Sequence, residues 1–245
     1  MNICLFSTQE INLPLSVSDP RGRHLIEILH KKQGDTFEAG IIGGLAGTAI
    51  INKIADGKIQ FTFRGENSGK PLYPLTMIIG FPRPIQLKRL FRDMAGLGVK
   101  KIILAKTELT EKSYLSSNMF TDGTAERLLL EGTVQAAGTH VPELQLASNL
   151  EQAVKSAKNS GLPFSTLIAL DNKRPSQSLH KFLQQEKALS AVAAIGSERG
   201  WTEKERDFLE AEGFTLCSMG SRVLRTETAG TAAASIILDS MGMLD

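Results

Sequence analysis

Two glycine-bearing stretches in the last third of the chain carry the residue types best suited to chemistry. They are Ile195-Gly196-Ser197-Glu198-Arg199-Gly200 and Met219-Gly220-Ser221-Arg222-Val223-Leu224-Arg225-Thr226-Glu227-Thr228-Ala229. Glycine permits positive φ or close backbone approach to a ligand, and a helix start just beyond leaves N–H groups unpaired. Turn geometry alone explains the first stretch equally well, because glycine punctuates α/β folds freely. The second stretch is harder to explain that way. Arg222, Arg225 and Glu227 crowd against residues 229–238, a small and apolar segment that reads as a buried helix. One reading is an Arg225–Glu227 pair that holds the loop. The other presents the rigid donor fork of arginine to a phosphate or to the carbonyl oxygens of a base.

The elements around these stretches place them at one edge of a sheet. Residues 191–195 and 214–218 read as buried parallel strands, so both stretches emerge at carboxyl ends, where open α/β sheets bind ligands. Between them Thr202 and Glu205 form a capping box and Gly213 terminates the helix over 203–212. Upstream, strands over 75–79, 101–104, 144–146 and 166–170 alternate with helices over 85–97, 124–137, 150–158 and 177–187, with a break at Gly161-Leu162-Pro163 and a final helix over 228–241. Such alternation argues a mostly parallel sheet covered on both faces.

The first 70 residues have a different texture. Strand-like runs over 1–6, 37–42, 47–54 and 58–63, the last two separated by Asp56-Gly57, predict a small β-barrel. Within it, residues 19–32 read as a helix with Leu25, Ile28 and Leu29 inward, leaving Arg21, Arg23, His30, Lys31 and Lys32 to solvent. The polar stretch over 64–71 reads as a linker, giving domains over 1–70 and 74–245. The 245 residues carry 28 Lys+Arg against 26 Asp+Glu, too even a balance to announce a nucleic-acid binder by bulk charge. Cys4 and Cys217 are far apart on apolar segments and read as reduced core residues; neither a metal site nor a disulfide is expected. No apolar run approaches the ~20 residues of a membrane span and no signal pattern opens the chain, so the expected location is cytoplasmic.

The two stretches resemble the cofactor motifs of the 16S ribosomal RNA uridine-N3 methyltransferases, the RsmE family of the SPOUT class, and the stretch from His24 to Leu29 resembles part of that family's RNA-binding domain. The resemblance covers the whole chain. It implies a SPOUT-type trefoil-knotted α/β domain preceded by a PUA-like β-barrel, a departure from the rule that chains avoid threading. It further implies a homodimer, S-adenosyl-L-methionine as cofactor, and methylation of a uridine in small-subunit RNA. The cofactor would be held by Leu170, Ile195, Gly196, Glu198, Gly200, Met219, Gly220, Val223, Leu224, Thr226, Thr228 and Ala229. At the first loop the family's Gly-Pro-Glu-Gly-Gly is replaced at Ser197 and Arg199, and an arginine there is expected to narrow the pocket.

Uridine N3 is a poor nucleophile while protonated, so transfer needs help in losing that proton and in stabilising charge on the flanking oxygens. Arg225 is assigned as donor to a uracil carbonyl, and Glu227 as its orienter or as the base. Phosphate contacts are expected from Arg21, Arg23, His30, Arg83, Lys88, Arg89 and Arg92, the last three recurring at helical spacing. Two alternatives stand beside this reading: an RNA-binding or assembly module whose altered first loop no longer admits the cofactor, and a SPOUT methyltransferase with another RNA target.

Overall fold

The computed structural model describes residues 2–116, 118–159, 166–186 and 188–244, of Ser116 the backbone only, so the Gly161-Leu162-Pro163 break and Lys187 lie outside the described residues. The chain divides into two compact units, one of Met1–Pro71 with Leu130–Val141 and one of Leu72–Leu129 with Pro142–Asp245.

The first unit contains β1 (Cys4–Phe6), β2 (Leu15–Ser16), α1 (Pro20–Arg23), β3 (Thr36–Ile41), β4 (Ala46–Ala55) and β5 (Lys58–Asn67). The strands form a curled sheet in the order β1-β3-β4-β5-β2, with β1 parallel to β3 and the other pairs antiparallel. Asp56 and Gly57 turn the β4–β5 hairpin with φ of 52° and 71°, the positive pair a type I′ turn demands. The hairpin is longer than expected, because Arg64 to Asn67 continue β5 instead of opening a linker. Phe6, Leu25, Phe37, Ile51 and Ile59 fill the concave face, where the Phe6 and Phe61 ring centroids lie 5.0 Å apart.

The helix expected over 19–32 is broken in two. After α1 the chain takes one π-helical turn, His24–Ile28, closed by the Leu29 N–H donating to the His24 carbonyl at 2.9 Å. The extra residue in that turn shifts the helical phase. Leu25 stays buried, but Ile28 and Leu29 rotate outward to 64% and 45% exposure. Arg21 is also not free to solvent as expected. Its guanidinium donates to the Leu5 carbonyl at 2.8 Å, to both Asp19 carboxylate oxygens and to Glu10, and stands 4.7 Å from the Phe6 ring centroid. It thereby ties β1 to the residues after β2, the two edge strands of the sheet. Residues 130–141 join this unit through Thr139, whose hydroxyl donates to the Gly44 carbonyl and whose own carbonyl accepts from the Gly43 N–H, each at 2.8 Å. Any side chain at Gly40 or Gly69 would collide with Thr139.

The second unit contains β6 (Tyr73–Gly80), α2 (Pro84–Gly96), β7 (Val99–Ala105), α3 (Thr124–Gln135), whose last residues belong to the first unit, β8 (Glu143–Ala147), α4 (Leu150–Lys158), β9 (Thr166–Leu170), β10 (Gln177–Ser178), α5 (Leu179–Gln185), β11 (Ala191–Ile195), α6 (Glu203–Ala211), β12 (Thr215–Ser218) and α7 (Thr226–Ser240). Its seven strands are all parallel, in the order β10-β12-β9-β11-β6-β7-β8. From β9 the chain runs out to β10, returns to β11, then goes out again to β12. It comes back once more as α7, which covers β6 and β11 and lies against α2. Gly230 eases the close approach of α7 to α2, where a Cβ would sit 3.0 Å from a Leu90 methyl and push it back by a few tenths of an ångström. Because β12, β9 and β11 are neighbours, the loops that follow them emerge side by side.

Candidate functional site

Three loops line one cavity of about 530 Å³: residues 170–173 after β9, 195–200 after β11, and 217–229 after β12, excluding Ser218, Ser221 and Thr228. That volume lies within the usual range for small-molecule sites. Sequence reasoning brought two of these loops together. The third, Asp171-Asn172-Lys173, was missed beyond Leu170, although it too follows a parallel strand and the same rule applies to it.

The loops are fixed by buried polar contacts. The Trp201 indole N–H, 1% exposed, donates to the Leu170 carbonyl at 2.9 Å. Arg206 from α6 grips both carboxylate oxygens of Asp171 at 3.0 Å, with both side chains at 2% exposure or less. Burial pushes the Asp171 carboxyl up, but hydrogen bonds from Arg206 and from the Arg174 N–H outweigh it and hold the group below its ordinary range. In the first loop the Gly200 N–H donates to the Ser197 carbonyl at 2.8 Å, closing a tight turn with Gly200 at φ 75°. The capping box appears as expected, with Thr202 and Glu205 bonding reciprocally.

Leu170, Ile195, Gly196, Glu198, Gly200, Met219, Gly220, Val223, Leu224, Thr226 and Ala229 all line the cavity; Thr228 does not, and it is exposed. Arg225 and Glu227 line it too, but no ion pair joins them among the described residues. The reason is that α7 begins earlier than expected. Arg225 is its N-cap, with an exposed side chain that needs no partner, whereas Glu227 lies in the first turn at 7% exposure. No hydrogen bond or ion pair engages the Glu227 carboxylate among the described residues. Cys217 also lines the cavity, and burial pushes its thiol up to about 11, so it is no nucleophile at neutral pH.

Arg199 lines the cavity at its rim. Its side chain is 70% exposed and leans towards Glu111 at 3.6 Å. Ser197 is 6% exposed and its hydroxyl has no hydrogen-bond partner. Of the expected phosphate-binding cations, Arg83 lines the cavity, while Lys88, Arg89 and Arg92 are exposed on α2, with Arg89 3.4 Å from Asp93. Arg23 and His30 are exposed in the first unit. Among the described residues no three His, Cys, Asp or Glu side chains come together as a metal site, and no helix is long and apolar enough to cross a membrane.

Residues 68–238 match the family model for the RNA methyltransferase domain. The ribosomal RNA small subunit methyltransferase E of Treponema pallidum is 38% identical over 244 residues, spanning 97% of this chain and 91% of the relative. The chain belongs to the ribosomal RNA small subunit methyltransferase E family. Two solved structures agree with its fold. The family's enzyme from Neisseria gonorrhoeae, bound to S-adenosyl methionine, superposes with a TM-score of 0.72 at 19% identity over 98% of this chain and 97% of that one. A probable rRNA-methyltransferase from Porphyromonas gingivalis gives 0.77 at 17% identity over 99% and 100%. As a methyltransferase E, the chain has the expected fold, a SPOUT-type trefoil-knotted α/β domain preceded by a PUA-like barrel whose sheet is curled. In this fold α7 packs on β6 and β11, and its knot departs from the rule that chains avoid threading.

Proposed function

We propose that this protein transfers a methyl group from S-adenosyl-L-methionine to N3 of a uridine in 16S ribosomal RNA. The observation that carries the reading is the cavity itself, with Glu227 in its wall, 7% exposed and joined by no side-chain hydrogen bond or ion pair among the described residues. From the first turn of α7 its carboxylate offers a cationic ligand an opposite charge. A sulfonium fits that wall, while Leu170, Ile195, Met219 and Leu224 supply apolar contact for an adenosine. Nothing within 4 Å opposes a ligand beside Gly200 or Gly220, both at positive φ. When bound, the cofactor supplies an electrophilic methyl group.

The chain's own residues hold the base and manage its charge. Arg225 donates to a uracil carbonyl, where one preorganised donor contributes roughly 10²–10³-fold. Its exposed guanidinium has no side-chain partner among the described residues to compete with that role. Phosphate contacts fall to Arg23 and His30 in the first unit and to Lys88, Arg89 and Arg92 in the second. Arg21, whose donors are engaged within its own unit, has little left to offer. The substrate places the protein in the cytoplasm, and the enzyme works as a homodimer.

Calorimetry with S-adenosyl-L-methionine and methylation mapping of small-subunit particles test this reading. Binding together with a new N3-methyluridine is the expected result. A folded protein that takes up no cofactor would sink it.

A further inference from the structure

We propose that a second cavity, beside the cofactor pocket, receives the target uracil, with Glu198 accepting its N3–H. This deepens the methyl-transfer reading and rests on it. The cavity is about 230 Å³ and is lined by Phe81, Arg83, Tyr114 and Glu198 among others. It shares Arg83, Ser197, Glu198 and Arg199 with the cofactor pocket, so the two have a common wall.

The polar groups at that wall form a compact cluster. The Arg83 Nε–H donates to the Tyr114 hydroxyl at 3.0 Å, the Tyr114 hydroxyl donates to Glu198 Oε2 at 3.2 Å, and Arg83 Nε lies 3.3 Å from the same oxygen. Only one atom of each charged group is used. The two terminal nitrogens of Arg83 and Oε1 of Glu198 have no partner among the described residues. The cluster therefore presents the free donors of the Arg83 terminal nitrogens beside a carboxylate acceptor, while the single Tyr114 O–H is already given to Glu198 and holds it in place.

Uracil complements this pair with one carbonyl and the adjoining N3–H. Cytosine shows a bare N3 and an amino group, which would set two acceptors against each other and leave one unpaired. Such a mismatch costs roughly 10- to 100-fold. With uracil, the N3–H bond breaks as its proton passes to the Glu198 carboxylate, and the electron pair stays on N3 to form the new N–C bond while the methyl carbon's bond to the sulfonium sulfur breaks and that pair leaves on a neutral thioether. The imide is a far weaker acid than a carboxylic acid, so the proton moves fully only as that bond forms.

Just before Tyr114, Glu108 and Glu111 tie the segment to the start of α6 and to the first loop. Glu108 accepts from the Thr202 hydroxyl at 2.8 Å, and its N–H donates to Glu205 at 2.8 Å, while Arg199 leans on Glu111. The Phe81 ring meets Phe120 edge-on at 5.8 Å and supports the cavity from below. This bracing keeps the donors and acceptor in place before any base arrives.

Small-subunit RNA carrying 4-thiouridine, irradiated with the full chain in the absence of cofactor, tests the subsite, with cross-linked peptides mapped by mass spectrometry. Cross-links within residues 109–114 and 197–199 are expected. Glu198→Gln should lose about 100-fold in kcat, and Tyr114→Phe, which lies outside the cofactor cavity, should keep cofactor binding in calorimetry and lose about tenfold in kcat. Cross-links confined to other segments, or a Glu198→Gln variant that transfers methyl at the unaltered rate, would overturn the proposal. Because the cross-link is read without cofactor, a chain that cross-links here yet gives no heat with S-adenosyl-L-methionine would support the subsite and overturn methyl transfer instead.

Discussion

Arg225 and Glu227 stand two residues apart in the sequence and in opposite environments. The helix start between them is the cause. As N-cap, Arg225 has extended backbone that throws its side chain outward, whereas Glu227 is already within the first turn and is turned inward. The two residues are therefore separable by mutation. Arg225→Ala should lower kcat for methyl transfer by about 100-fold, the worth of one oxyanion donor, and leave cofactor affinity within a factor of about three. Glu227→Gln should do the reverse, weakening cofactor binding by about tenfold or more as the cation loses its counter-charge. Calorimetry read beside single-turnover kinetics separates the two. If both variants lost affinity equally, the division of labour between them would be wrong.

At the scale of elements, the buried Asp171–Arg206 pair holds the loop after β9 to α6. Removing one partner leaves the other charge buried, so Arg206→Ala should destabilise the protein by roughly 3–5 kcal/mol in urea unfolding. The pair also makes stability sensitive to acid. The Asp171 carboxyl titrates below its ordinary 3.8 in the folded chain, so its contribution is complete above about pH 4 and is lost as pH falls through the lower folded value. Asp171→Asn should flatten the stability curve below pH 4; an unchanged slope would mean that other carboxyls dominate. Neither residue was legible beforehand, because their pairing spans 35 positions and carries no local signature. What local chemistry dictates was read well: the Asp56-Gly57 hairpin, the Thr202 capping box, the strands at 166–170 and 191–195. Phase errors arose where one residue was inserted or a helix started early, as with the π-turn that turned Ile28 and Leu29 outward. Arg21 looked like a solvated cation because nothing in the sequence says that the residues after β2 lie beside β1.

For the whole molecule, we propose that the exposed apolar residues of the second unit meet those of a second copy. Val223 is 81% exposed, Ile85 65%, Ile236 41% and Leu224 38%. Burying one such side chain is worth up to ~1.5–3 kcal/mol, and a stable interface needs about 1,000 Å² or more in total. Val223 and Leu224 belong to the loop that lines the cofactor cavity, so a second copy laid over them would order the cavity as well as hide the apolar surface. Dimerisation and cofactor binding are then linked, and each strengthens the other. Ile236→Asp places a charge on the outer face of α7 without touching the cavity. Sedimentation should show that variant dissociating at concentrations where the unaltered protein is a dimer, and its affinity for S-adenosyl-L-methionine should fall in step with the monomer fraction. A variant that became monomeric and kept full affinity would show that one copy builds the site alone, and a variant that stayed dimeric would place the interface elsewhere.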